Sequence, residues 1–237
     1  MRARAALALA LLLASCAGGS VAPAPSPAPA TPPAHPGGSL FSTIPCAGTP
    51  LGLAWARLLP EVSARFPGLK LTEVADLHVT VVYVGPGWRA EELARIRALA
   101  LVAPAEAVAI HPELVRFGAN GHVVVAELRG APASWLAAVT AAKAEMNRLG
   151  LKKPDRYDAE FRPHVTLASA RHRPPEASEA AALDALRAWV AAQAEAKPDA
   201  WVVSLGPESP VRLWLANLAR PAGEPEYVDL DLVTRPR

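Results

Sequence analysis

The chain has almost no cysteine: Cys16 and Cys46 are the only two in 237 residues. Two thiols cannot build a disulfide framework, nor a Cys-based metal site. Histidine, aspartate and glutamate are not grouped at metal-ligand spacing either, so no metal and no cofactor is expected. Aromatic residues are scarce at 5%, which leaves few rings on which a nucleobase could stack. No apolar run reaches the roughly 20 residues a membrane-spanning helix needs. The Ala/Leu run from Ala5 to Ala14 is too short.

A large charge of one sign is also missing. There are 24 Lys and Arg against 22 Asp and Glu. Arg2 and Arg4 form the charged start of a leader and leave with it, so the mature part is neutral. A neutral domain is a poor binder of long nucleic acid, whose affinity needs many cationic contacts to phosphate. A small nucleotide or an RNA end suits it better as a partner.

Leu13-Ala14-Ser15-Cys16, directly after the apolar run, reads as a lipobox, with cleavage before Cys16 and lipid on its sulfur. Residues 1–15 are then a lipoprotein signal peptide. A plain secretory signal is the alternative, and it would leave a secreted protein and allow a Cys16–Cys46 bridge. Residues 16–38, rich in Pro and Ala, cannot bury a core and read as a semi-rigid tether. The expected location is the cell envelope, lipid-anchored, with the outer membrane favoured. The folded domain is expected over 39–237, as a monomer.

Within that domain strands and helices mix without regular βαβ alternation, which predicts an α+β fold with antiparallel sheet. Leu40 to Ile44 predicts a strand ended by Pro45. Leu51 to Phe66 has helical spacing, with Pro60 as a kink or break. Further helices are expected at Glu91–Val102, Ser134–Leu149 and Glu176–Ala196. Strands are expected at Ala107–Phe117 and His122–Leu128, joined by a Gly-Ala-Asn-Gly hairpin turn. Three closing strands follow, from Ala200, Val211 to Leu218, and Tyr227 to Val233.

Two stretches carry the chemistry. Leu77-His78-Val79-Thr80-Val81-Val82-Tyr83-Val84-Gly85 and Pro163-His164-Val165-Thr166-Leu167-Ala168 each set a His-x-Thr in apolar, β-branched residues. Both predict buried strands. Alternation puts His78 and Thr80 on one face, and likewise His164 and Thr166, about 7 Å apart along each strand. By the same parity Tyr83 should point into the core. Two such strands facing one groove supply two proton carriers and two hydroxyl donors, a set suited to a phosphate held between them. A lone strand histidine is more often a satisfied core or surface group; the matched pair carries the argument. His35, His111, His122 and His172 sit in no repeated frame and are read as solvent-facing. Each His-x-Thr strand is followed by a helix and further strands, which predicts two pseudo-symmetric lobes around a central groove.

The double motif resembles the 2H phosphoesterase superfamily, and most of all its RNA 2′,5′-ligase and cyclic phosphodiesterase branch. Leu40 to Pro45, Leu114 to Gly118 and Tyr227 to Leu230 also look like elements of that group, so the resemblance runs over residues 40–233. It implies a metal-independent phosphodiesterase acting on 2′,3′-cyclic phosphates or 2′,5′-linked nucleotides. His78 and His164 would be general acid and base, while Thr80 and Thr166 would hold the non-bridging phosphate oxygens. Family members often carry a basic residue where this chain has Ser169, with Arg171 as the expected substitute. Phe117 and Tyr157 are the candidates for stacking on a base. The competing reading is a non-catalytic nucleotide- or partner-binding envelope lipoprotein on the same fold. RNA ligation proper is a third, disfavoured by secretion.

Overall fold

The computed structural model describes residues 38–155, 157–216 and 226–233. The signal, the lipobox and tether residues 16–37 lie outside them, as do Asn217 and Leu218. Ten strands and five α-helices follow in order. They are β1 (Leu40–Pro45), α1 (Pro50–Arg65), β2 (Lys70–Leu71), β3 (His78–Gly85), α2 (Leu93–Ala100), β4 (Val108–Ile110), β5 (Glu113–Phe117) and β6 (Val123–Glu127). Then come α3 (Ala133–Arg148), β7 (His164–Ser169), α4 (Ala177–Ala196), β8 (Val203–Leu205), β9 (Arg212–Ala216), β10 (Tyr227–Asp229) and α5 (Leu230–Val233). The fold is α+β, as expected.

Seven strands run in the order β10-β9-β1-β3-β7-β6-β5, with β2 also paired to β7. All these pairings are antiparallel. The sheet is two lobes joined at a seam. One lobe is β3-β1-β9-β10; the other is β7-β6-β5 with β2. At the seam, Val79 and Val165 form the single register pair between β3 and β7. The order of elements repeats as the spacing of the motifs predicts: β3 leads to α2 and later strands, and β7 to α4 and later strands.

Three local expectations need correction. Pro60 does not break α1, which runs through it. Proline removes one helical hydrogen bond, but Pro60 is exposed, so the freed carbonyl a turn earlier can bond to water. Ala107–Phe117 is two strands in different sheets, since Pro112 cannot donate to a ladder: β4 pairs with β8 and β5 with β6. The segment from Tyr227 turns helical after Asp229, where the Asp229 Oδ1 accepts from the Asp231 N–H at 2.9 Å.

The core lies between the sheet and its helices. Val79, Val81, Val82, Val165, Leu167 and Ala168 fill it from the motif strands, all at 1% exposure or less. Trp55 of α1 and Trp135 of α3 fill it from the helices. Each spends its indole N–H on a loop carbonyl, Thr72 at 2.8 Å and Val102 at 2.9 Å, as buried indoles require. Cys46 is wholly buried too; burial pushes its thiol pKa up to about 12, so it is an inert packing group. Among the described residues no helix is long and apolar enough to cross a membrane.

Candidate active site

Each motif strand breaks its alternation just after its threonine, and β3 does so a second time between Tyr83 and Gly85. Thr43 of β1 pairs with Thr80 and Ser42 with Val82, which leaves one extra residue on β3. On β7, Val125 faces Thr166 and Val124 faces Ala168, with the extra residue in the same place. These are β-bulges, which put two consecutive side chains on one face. The two are Val81 and Val82 in β3, and Leu167 and Ala168 in β7. The bulge reverses the parity of the residue that follows it. Tyr83 therefore stands on the groove face beside His78 and Thr80, 43% exposed, with its hydroxyl 2.8 Å from the Ser39 hydroxyl. The expectation that Tyr83 points into the core is overturned. Ser169 holds the matching place on β7.

The histidines are mounted alike. The Nδ1 of His78 lies 2.7 Å from the Asp76 carbonyl oxygen, and that of His164 lies 2.7 Å from the Arg162 carbonyl oxygen. A carbonyl only accepts, so each Nδ1 carries a proton and donates it. Each neutral ring therefore keeps its lone pair on Nε2. Matching aromatic rings brace them. Trp214, paired with Phe41 next to Tyr83, lies 5.1 Å from His78 between ring centres. Phe117, paired with Val123 next to Ser169, lies 4.4 Å from His164. Phe41 and Tyr227 close further around His78, at 5.4 and 5.1 Å.

This setting governs the protons. Burial, reinforced by the charge of His164, pushes the pKa of His78 down to about 4 despite its carbonyl partner. Burial also lowers the pKa of His164, again against its carbonyl bond. Both rings are thus neutral near pH 7 in the free protein.

Thr80, Thr166 and His164 line a cavity of about 500 Å³ together with Tyr83, Phe117 and Tyr157, while His78, boxed in by its aromatic neighbours, stands beside the cavity rather than in its lining. Neither threonine hydroxyl has a hydrogen-bond partner among the described residues. Phe117 and Tyr157 are stacked on each other, ring centres 6.2 Å apart. Arg162 lies over Phe117 at 5.0 Å and is held by the buried carboxylate of Glu127, its Nε at 2.7 Å. Arg116 is committed to Asp184 at 2.9 Å.

Arg171 is not brought to the cavity. Its guanidinium donates to the carbonyls of Gly68 and Pro67 at 3.1 and 3.2 Å and fastens the loop before β2. Arg173 lines the wall instead. It follows β7 in a turn, where strand parity no longer says which way a side chain points. His122 is the other surprise. It lines the cavity rather than facing solvent, and its ring packs on Gly118, where an added Cβ would sit 2.5 Å from the imidazole. Gly118 has φ +86°, as the hairpin turn requires. His111 and His172 are exposed, as expected. Among the described residues no three His, Cys, Asp or Glu side chains are grouped to hold a metal ion.

No protein-family model matches the chain, and no curated protein matches its sequence. Solved structures do match. Escherichia coli LigT in complex with 3′-AMP aligns with TM-score 0.53 at 18% identity, over 81% of this chain and 95% of that one. A crystal structure titled phosphoesterase aligns with TM-score 0.51 at 17% identity, over 81% and 95%. The Thermus thermophilus protein TT0787 aligns with TM-score 0.51 at 21% identity, over 81% and 94%. The chain has the fold of LigT and of these two other structures, the fold implied by the resemblance of its two motif strands to the 2H branch.

Proposed function

We propose that this protein is a metal-independent phosphodiesterase that opens 2′,3′-cyclic phosphates or cleaves 2′,5′-linked nucleotides. One observation carries the reading: two histidines on opposite sides of one seam, each fixed through Nδ1 to the carbonyl two residues before it, each with Nε2 left for proton transfer. One Nε2 takes a proton from the attacking water. The other, protonated, gives its proton to the departing ribose oxygen. A new P–O bond forms from the water oxygen as the bond to the ribose oxygen breaks. The hydroxyls of Thr80 and Thr166 donate to the non-bridging oxygens, where negative charge grows. By the family resemblance the 3′ oxygen leaves and a 2′-phosphate remains. That LigT has been crystallised with 3′-AMP supports a small nucleotide as substrate.

The test is hydrolysis of a panel of 2′,3′-cyclic nucleotides and 2′,5′-linked dinucleotides by the mature chain, with and without excess EDTA. Turnover unchanged by EDTA is expected. Turnover that EDTA abolishes and a metal restores would refute the metal-free mechanism. Nucleotide binding without any hydrolysis would favour the non-catalytic module.

The lipid-anchored location is proposed from Leu13 to Cys16 alone. Fatty-acid labelling of the wild type, lost in Cys16→Ser, is the expected result. Equal labelling of both, or of neither, sinks it.

A further inference from the structure

The far end of the cavity holds a cation that the reaction between the histidines does not use. Helix α3 buries Trp135, Val139, Lys143 and Met146 as one stripe. An apolar residue belongs at such a position, yet the third is lysine, 6% exposed, and it lines the cavity wall. Its ammonium donates to the Tyr157 carbonyl at 3.1 Å and sits 5.0 Å from the Phe161 ring centre. No carboxylate of the described residues lies within ion-pair distance. Asp158 behind it is engaged by Lys152, 2.7 Å from both of its oxygens. An ammonium has three N–H donors, so two remain for a guest. Burying such a group without partners is costly.

Arg173 stands on the same wall, exposed and with no hydrogen bond or ion pair among the described residues. Two acids share that wall, Asp155 and Glu160. Asp155 is drawn off by Lys152 at 3.6 Å and by the Tyr157 N–H at 2.7 Å. Between this end and His164 lie Phe117 and Tyr157.

We propose that Lys143 and Arg173 form a second anion subsite, so that the substrate is a nucleotide carrying another phosphate besides the one placed between the histidines. The substrate class is then a phosphorylated nucleotide or oligonucleotide end rather than a mononucleoside cyclic phosphate. This rests on the phosphodiesterase reading for its direction, but binding tests it separately from turnover.

The experiment is calorimetric titration of the full chain with adenosine 2′-monophosphate and adenosine 2′,5′-bisphosphate. The bisphosphate should bind about 10- to 100-fold tighter, the usual worth of hydrogen bonds to charged groups. Lys143→Met should cut that preference about tenfold or more. Arg173→Ala, on an exposed turn, should lower it as well, and it decides the matter if Lys143→Met does not fold. Equal affinity for the two ligands in the wild type overturns the proposal. So does a preference that both variants keep in full. Absent hydrolysis of every cyclic phosphate, with the bisphosphate preference intact, would remove the enzyme reading and leave the subsite standing.

Discussion

Replacing either His78 or His164 by alanine should lower kcat by about 10²–10⁴, the usual worth of a general acid or base. The double variant should lose little more, because groups that act as one unit are not additive. Thr80→Ala and Thr166→Ala should cost less, each removing one of several donors to phosphate. The pH profile carries a second signature. The base works only when neutral and the acid only when protonated, so the rate is bell-shaped, with limbs that belong to the pair. Burial lowers both histidines, so the kcat/KM optimum of the free enzyme should fall below the ordinary histidine pKa of about 6.5. Bound phosphate is negative and favours imidazolium, so the optimum of kcat should lie higher. Steady-state rates from about pH 4 to about pH 9 test this. A kcat/KM optimum above neutrality, or near wild-type turnover in either folded single variant, would refute the acid and base roles of the two histidines.

Asp158→Ala should destabilise the fold by about 2–3 kcal/mol, the usual worth of hydrogen bonds to a charged group. The group affected is Lys152, whose side chain is 0% exposed and which would keep only the Lys153 carbonyl at 3.0 Å, Asn147 at 3.4 Å and Asp155 at 3.6 Å. Asp158 receives it with both oxygens at 2.7 Å, and also accepts from Asn147 at 2.8 Å and the Asp155 N–H at 3.0 Å. Lys152→Met should cost far less, since methionine fills the space and Asp158 keeps its other donors. Burial opposes the charge of Asp158, but these hydrogen bonds outweigh it and hold its pKa below the ordinary value. A carboxyl lowered in this way adds stability above its unfolded pKa of about 4, and the contribution fades as pH falls through the folded value. Denaturant titrations at neutral and acid pH read both effects. Equal losses in the two variants would show that the asymmetry is wrong.

The paired frames and the fold class could be read from the residues because His-x-Thr occurs twice in the same apolar setting. What failed to show was the face of Tyr83. Alternation is visible only where polar and apolar residues trade places, and Val81-Val82 hides an extra residue inside a uniformly apolar run. The same blindness covers Leu167-Ala168. Arg173 and His122 were missed because they reach the cavity from turns, whose directions no period encodes. Lys143 lies on a helical stripe that composition treats as core, and its setting depends on loops more than ten residues away. Arg171 had the charge expected beside the second motif, but the Pro67 and Gly68 carbonyls claimed it.

The lobe that holds His78 is not one stretch of chain. Its strands β1 and β3 come from residues 40–85, but β9 and β10 come from 212–229, after the other lobe has been built. During synthesis, then, the edge of β1 stays open until β9 has emerged, after the other lobe, and an open edge invites pairing with another chain. The wall that Trp214 and Tyr227 form around His78 arrives after the whole of the other lobe. A chain cut short before β9 would still contain both His-x-Thr strands, yet only His164 would have its braced surroundings.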